Sequence, residues 1–342
     1  YEKGTVVQGS QEGWIEMKRC EYTENGNAIT CWEANVVPGY TITKLMANND
    51  NKERDLSAAI TPEAGKFYNI TLDKDKGYTD DGQGNYTVTS AEGLKNIAKL
   101  VNEEWNLSID ITLTSDIDLS GIDWTPIGID YNHRYAGTFD GNGKTITGLT
   151  VNQSEKNYAG LFGCLGSDGK VQNLTLENVH ISGVFYVGSV VGTNFGTVSG
   201  CTASGNITGT ESCIGGVVGQ NKGTVTGCTV SGNISSNQYT GGVVGENFGT
   251  VSACYHATGT VSGQGNVGGI VGMNNNSGQT TACYWSSNPA NGIGKMDSGT
   301  NGTIKVDGDW QNAVTQMNAA LQNEGTEWRY ELTGELPTLK KQ

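Results

Sequence analysis

Charge is scarce in this chain, and positive charge is the scarcer kind. Asp, Glu, Lys and Arg make up 16% of 342 residues, and 35 acids against 21 bases leave a net charge of −14. A nucleic-acid partner needs a basic face for its phosphates, so that class is excluded. No apolar run approaches the roughly 20 residues of a membrane-spanning helix, and the chain is not expected to cross a membrane. The three histidines, His133, His180 and His256, form no His-Glu-x-x-His zinc motif. Prolines number 5, and the 51 glycines follow no Gly-X-Y period, which excludes a collagen-like chain. The first residue is Tyr1, not methionine, so a leader or upstream segment is expected to have been removed or left out.

The glycines recur inside a repeated phrase. Ile214-Gly-Gly-Val-Val-Gly-Gln-Asn-Lys-Gly-Thr-Val-Thr-Gly-Cys228 is echoed by Thr240-Gly-Gly-Val-Val-Gly-Glu-Asn-Phe-Gly-Thr-Val-Ser-Ala-Cys254. The phrase opens again at Val187 and Val267, and in degenerate form at Tyr158. Its closing glycine falls at 163, 192, 219, 245 and 272, a period of 26 to 29 residues. A fixed period of this size marks a solenoid, whose coils bury their apolar faces only against each other. Alternation within the phrase points Val225, Cys228 and Val230 inward and Thr224, Thr226 and Thr229 outward. Asn194, Asn221, Asn247 and Asn274 share one position after the turn glycine, which predicts an asparagine ladder. Three short strands per repeat imply a parallel β-helix, expected to be right-handed as parallel crossovers usually are.

Four of the eight cysteines, Cys201, Cys228, Cys254 and Cys283, occupy one repeat position. Parallel side chains stacked about 4.8 Å apart are read as a reduced, packed column. Cys20 and Cys31 differ. A hairpin about Asn25-Gly26 pairs them, together with Lys18 and Glu33, Arg19 and Trp32, and Trp14 and Val37. Whether they are bridged is left open.

The chain outside the repeats divides into three parts. Residues 1–76 read as short strands (14–22, 28–37, 40–46, 56–61 and 66–72) and predict a small antiparallel sandwich. Residues 73–84 read as a linker, and residues 77–342 form the β-helix domain. Thr89 and Glu92 make a capping box ahead of an apolar stripe of Leu94, Ile97, Ala98 and Val101. A helix over about 90–104 is expected to cover the open end of the solenoid. Irregular lead-in coils over 107–157 precede the regular coils of 158–291. Residues 292–342 form a second cap, with a helix from Trp310 to about Leu321 capped by Asp309.

Signals for chemistry are few. Residues 157–292 hold only Asp168, Lys170, Glu177, Glu211, Lys222 and Glu246 as charged side chains. No two acids share a column, as paired carboxylates for glycan cleavage would have to. Asp116-Ile-Asp-Leu-Ser-Gly121 begins like a calcium loop but has Ile127 where a bidentate glutamate is needed. No metal or cofactor is therefore expected. The column before each Gly-Gly reads Asn157, Tyr186, Cys213, Tyr239 and Asn266, and Phe195 and Phe248 flank the asparagine ladder. Rings on turns can stack on sugars or anchor a partner. Tyr186, Tyr239, Phe195 and Phe248 are the binding candidates.

The phrase Gly-Gly-Val-Val-Gly-x-Asn-x-Gly-Thr-Val-x-x-Cys resembles the GLUG repeat of bacterial surface adhesins and of some immunoglobulin-cleaving metallopeptidases. Leu113-Thr-Ser-Asp-Ile-Asp-Leu119, Trp124-Thr-Pro-Ile-Gly128 and Gly137-Thr-Phe-Asp-Gly-Asn-Gly-Lys-Thr-Ile146 look like the usual lead-in to such repeats. The resemblance covers about residues 86–340. It implies a cell-surface β-helix and supplies no active site, since the peptidase relatives carry theirs in a zinc domain absent here. Residues 1–76, above all 64–72, are similar to the last strands of fimbrillin-like sandwiches.

The expectation is a non-enzymatic adhesin or fimbria-associated protein, secreted or on the outer surface of a bacterium. It would bind a host or bacterial glycan or protein, as a monomer or within a surface assembly. The alternative is a glycan-active lyase or hydrolase using Asp116, Asp118, Asp123 and Asp140 in the lead-in coils.

Overall fold

The computed structural model describes residues 4–8, 15–24, 27–36, 38–47, 53–64, 66, 68, 76–153, 155–275 and 277–342. Two compact units divide the chain, Tyr1–Lys74 and Asp75–Gln342. In the first, the described strands form one antiparallel sheet in the order Asn27–Glu33, Ile15–Glu24, Gly4–Gln8, Ile42–Ala47, Glu53–Ile60. Ile15–Glu24 is shared along its length, its first residues pairing with Gly4–Gln8 and its later ones with Asn27–Glu33. Lys18 pairs in register with Glu33, Arg19 with Trp32 and Cys20 with Cys31, as the hairpin reading requires. The Asn25-Gly26 turn, Trp14, Val37 and most of 64–72 lie outside the described residues, as do the side chains of Cys20 and Cys31.

The second unit is a parallel β-helix of about seven turns. One long sheet runs through Thr138–Thr147, Lys170–Gly183, Thr197–Gly209 and Thr229–Ser236 and on to Thr303–Lys305. A second stacks Phe162–Leu165, Val191–Asn194, Val218–Asn221, Val244–Asn247, Val271–Asn274 and Ile293–Met296. The third is narrow: Ile214–Gly215, Thr240–Gly241 and Val267–Gly268. The Gly-Gly of each phrase lies at this third face, where coils approach closely. A Cβ on Gly241 would lie 1.9 Å from the Val244 carbonyl oxygen, so only glycine fits.

Alternation within the coils sets what lies inside. Val198, Val225 and Val251 stack in register and are fully buried, each worth roughly 1.5–3 kcal/mol relative to exposure. Cys201, Cys228, Cys254 and Cys283 are buried and free. Each thiol donates to the carbonyl two residues back, at 3.4, 3.4, 3.0 and 3.3 Å, and burial pushes the Cys254 thiol well up. The asparagine ladder is continuous. Asn194 donates to Asn221, Asn221 to Asn247, and Asn247 to Asn274, at 2.8, 2.9 and 2.8 Å. The first three also accept the backbone N–H two residues on, at Gly196, Gly223 and Gly249. Polar groups buried at a turn are thereby satisfied coil by coil.

Both ends depart from expectation. Helix α1 spans Ala91–Asn102 and buries Leu94, Ile97, Ala98 and Val101 in the solenoid core. Its cap is Ser90, whose Oγ accepts from Gly93 N at 3.2 Å, while Thr89 Oγ1 donates to the Gly77 carbonyl. The capping box is therefore shifted by one residue and has no glutamate partner. The first strand edge is not left to α1. Tyr78–Asp80 pairs antiparallel with Asn85–Val88, which pairs parallel with Asp110–Leu113. Residues 78–84 of the stretch read as a linker belong to this hairpin, its turn held by Asp81, which accepts from the backbone of Gln83 and Asn85 and from the Asn85 amide.

Helix α2 spans Gln311–Asn323, with Asp309 accepting from Gln311 N at 2.8 Å. It does not close the far end. With Trp328–Glu331 and Thr338–Lys341 it lies along the side of the long sheet, in a separate core of Ala253, Tyr255, Tyr284, Trp310, Met317 and Leu321. Tyr330 Oη donates to the Ala253 carbonyl at 2.8 Å. Thr226 donates to Glu324 at 2.6 Å. Thr226 and Thr229, expected to face solvent, are buried under this strap.

Candidate functional site

The turn 130–134 is where side chains with binding chemistry gather. Asp130 Oδ1 accepts from the backbone N–H of Asn132 and His133 and pairs with His133 Nδ1, all within 3.0 Å. Burial acts upward on this carboxyl, but the hydrogen bonds from His133 and the two amides outweigh it and hold it below the usual range. The turn is therefore pinned by its own acid, and its remaining side chains project. Tyr131 is 39% exposed. Its ring lies edge-on to Phe195 at 5.3 Å and to Tyr158 at 6.0 Å between centroids. Tyr158 in turn stacks on Tyr186 at 5.4 Å and 13°. On the other side Trp105, 58% exposed, packs against the His133 ring at 4.1 Å.

Two cations join this ridge. The Arg134 guanidinium lies 5.6 Å from the Tyr131 ring centre and 5.4 Å from that of Phe195. The Lys222 ammonium lies 5.8 Å from Tyr131, 5.1 Å from Phe195 and 5.8 Å from Phe248, and donates to Tyr131 Oη at 3.1 Å. These are cation–π distances. Three of the four candidate rings, Tyr186, Phe195 and Phe248, thus belong to one surface. Tyr239 shares the column of Tyr186 two coils on, and among the described residues no ring contact joins it to the ridge.

The column itself needs correction by one residue. Ala159 bridges Val187, Val187 bridges Ile214, Ile214 pairs with Thr240, and Thr240 with Val267. The residue before Ala159 is Tyr158, so Tyr158, and not Asn157, precedes Tyr186, Cys213, Tyr239 and Asn266. Tyr158, Tyr186 and Cys213 all take positive φ, at 65°, 58° and 65°, which marks a recurring tight corner. Burial lifts the Tyr158 phenol to about 12. Tyr131, Arg134 and Lys222 escaped sequence reasoning. The one available signal was the spacing of Tyr158 from Tyr186, a single period.

The lead-in acids serve other ends. Asp116 accepts from Thr145 N, Asp118 from Ser120 N, Asp123 from Asn152 N, and Asp140 from Asn142 N and the Gln172 amide. Each carboxylate satisfies a different backbone N–H, and among the described residues no three His, Cys, Asp or Glu side chains gather as a metal ion would need. His256 is fully buried, with Nδ1 2.8 Å from Ser287 Oγ and Nε2 3.3 Å from the Gly232 carbonyl. A cleft of about 570 Å3 lies between outward hydroxyls of the long sheet (Ser199, Thr224, Thr250) and Glu327 and Trp328 of the strap. No helix among the described residues is long and apolar enough to cross a membrane.

The fold is a parallel β-helix with a repeated phrase, and within it the family model described as the GLUG motif matches residues 210–235. Halomucin of Haloquadratum walsbyi is 34% identical over 173 residues, 47% of this chain and 2% of that protein. A Gly-rich membrane protein of Evansella cellulosilytica, so named provisionally, is 36% identical over 118 residues, 33% of this chain and 14% of that one. The chain thus spans a small part of these relatives. A solved chain from Bacteroides ovatus, provisionally named an immunoglobulin A1 protease, superposes with a TM-score of 0.57 at 17% identity. That likeness covers 75% of this chain and 92% of the other, and it is a likeness of fold.

Proposed function

We propose that the chain is a non-enzymatic binding module of a cell-surface protein and that it holds glycan on the ridge around Tyr131. The observation that carries this reading is an exposed tyrosine held edge-on by Tyr158 and Phe195, on a turn pinned by its own carboxylate. A ring fixed in this way offers stacking area to a sugar face at low entropic cost. The surface setting is supported by the GLUG repeat and by the kind of relative that shares it, a halomucin and a protein named for a membrane. Against an enzyme of the lead-in coils stands the use of Asp116, Asp118, Asp123 and Asp140 as backbone acceptors. Adhesion to a host or bacterial surface is the role such a module would serve.

The test is a glycan array probed with the intact chain and with Tyr131→Ala. Glycan binding by the first and at least a tenfold loss in the second, at unchanged thermal stability, is the expected result. Binding that survives Tyr131→Ala in full would move the site elsewhere, with Tyr239 and the strap cleft next in line. An array with no glycan bound would end the reading.

A further inference from the structure

Two features of the ridge ask for more than a neutral sugar. The chain is acidic overall, yet two cations from positions 88 residues apart lie over the same two rings, Tyr131 and Phe195. Both are exposed. Among the described residues neither lies within 4.0 Å of a carboxylate oxygen, although six other ion pairs of that length occur. Arg134 gives none of its N–H groups to a protein acceptor there, and Lys222 gives one, to Tyr131. Their charges are held in place by ring faces, which take no hydrogen bond along the N–H directions that matter for an anion.

Beside them is a depression of about 270 Å3, walled by Asn132, Arg134, Ser167, Asp168 and Phe195. It offers an amide and a hydroxyl for sugar hydroxyls, an aromatic wall, and a guanidinium with its five donors unspent. We propose that this site takes an anionic saccharide, with its carboxylate or sulfate between Arg134 and Lys222 and its ring against Tyr131. Guanidinium opposes carboxylate or sulfate in charge, and its paired N–H donors reach two acceptor oxygens of either anion. Asp168 is the opposing group. It is the one acid on the wall, and it narrows the preference to ligands whose anion lies on the Lys222 side. The proposal rests on the ridge being a glycan site and adds the charge of the ligand.

The experiment uses the full chain on an array holding neutral, uronate-bearing, sialylated and sulfated glycans. It is followed by titration calorimetry of the best anionic ligand and its neutralised form, the methyl ester for a carboxylate or the desulfated sugar. Anionic glycans should bind at least tenfold more tightly than their neutralised forms, and more weakly as salt is raised. Arg134→Gln with Lys222→Gln should erase that preference, and Asp168→Asn should strengthen anion binding. Whether the carboxylated or the sulfated arm binds decides the source of the anion. Equal affinity for charged and neutral forms, with both lost in Tyr131→Ala, would overturn the anion proposal and leave the glycan reading standing. Loss of all glycan binding from the array would remove both.

Discussion

His256 occupies a column that grows coil by coil. Ala203 pairs with Val230, Val230 with His256, and His256 with Trp285, so the interior is filled by progressively larger side chains towards the C-terminal end. Facing glycines make the room: a Cβ on Gly242 would lie 2.8 Å from His256 Cβ, and one on Gly269 would lie 2.3 Å from the Trp285 ring. Burial lowers the His256 pKa to about 4, so the folded protein holds it neutral while the unfolded chain protonates near 6.5. Its contribution is whole above pH 6.5 and is lost as pH falls towards 4, because the unfolded state then binds the extra proton. The loss is about 1.4 kcal/mol per pH unit, reaching about 3 kcal/mol at pH 4. Calorimetric melting at pH 7 and pH 4.5 should show a marked drop in Tm that shrinks in His256→Val, the residue type of the preceding coil. An equal drop in both proteins would show that this imidazole is protonated in the fold.

The two helices look alike as sequence elements and do different work as structural ones. Each has one apolar stripe, and a stripe shows that a helix is buried on one side without showing against what. α1 sits between two parallel strands, Asn85–Val88 and Asp110–Leu113, and so replaces the connecting path of the first coil. Asn102 fastens its end by donating to the Pro126 carbonyl at 2.9 Å and accepting from Gly128 N at 2.8 Å. Leu94 and Ile97 are fully buried, and placing two carboxylates there would cost about 4 kcal/mol or more. Leu94→Asp with Ile97→Asp should open the solenoid end, and light scattering should record self-association through the bared apolar core. A double variant that stays monomeric with an unchanged urea midpoint would show that the core ends before the helix.

At the scale of the molecule, what the sequence discloses depends on how far apart the contacting residues are. The coils, the inward cysteines and the Asn194–Asn274 ladder were legible because alternation and period are local signals that stacking only repeats. The ridge was half legible. Phe195 and Phe248 announce themselves at turns, but Tyr131 and Lys222 are 91 residues apart and meet only once coils are stacked in a register no single repeat reveals. The strap was legible as a helix and two strands, and its resting place was not.

That place has a consequence for how the solenoid unfolds. Coils that touch only their neighbours fray from the ends. Here the strap spans several at once. Trp328 lies over Gly200, whose φ of +62° and missing Cβ admit the indole at 2.2 Å from where a Cβ would stand. Glu324 meets Thr226, Tyr330 meets Ala253, and Tyr255 Oη donates to the Pro337 carbonyl. These coils should open as one cooperative unit. Hydrogen exchange should find amides of 198–203, 225–230 and 251–257 exchanging at a common rate. Trp328→Ala removes the anchor on the first of them at a cost of about 3 kcal/mol or more. The amides of 198–203 should then exchange ahead of the others, while Asn221 and Asn247 keep the later coils together. Uniform protection in the variant would mean that the coils hold each other and the strap is only a cover.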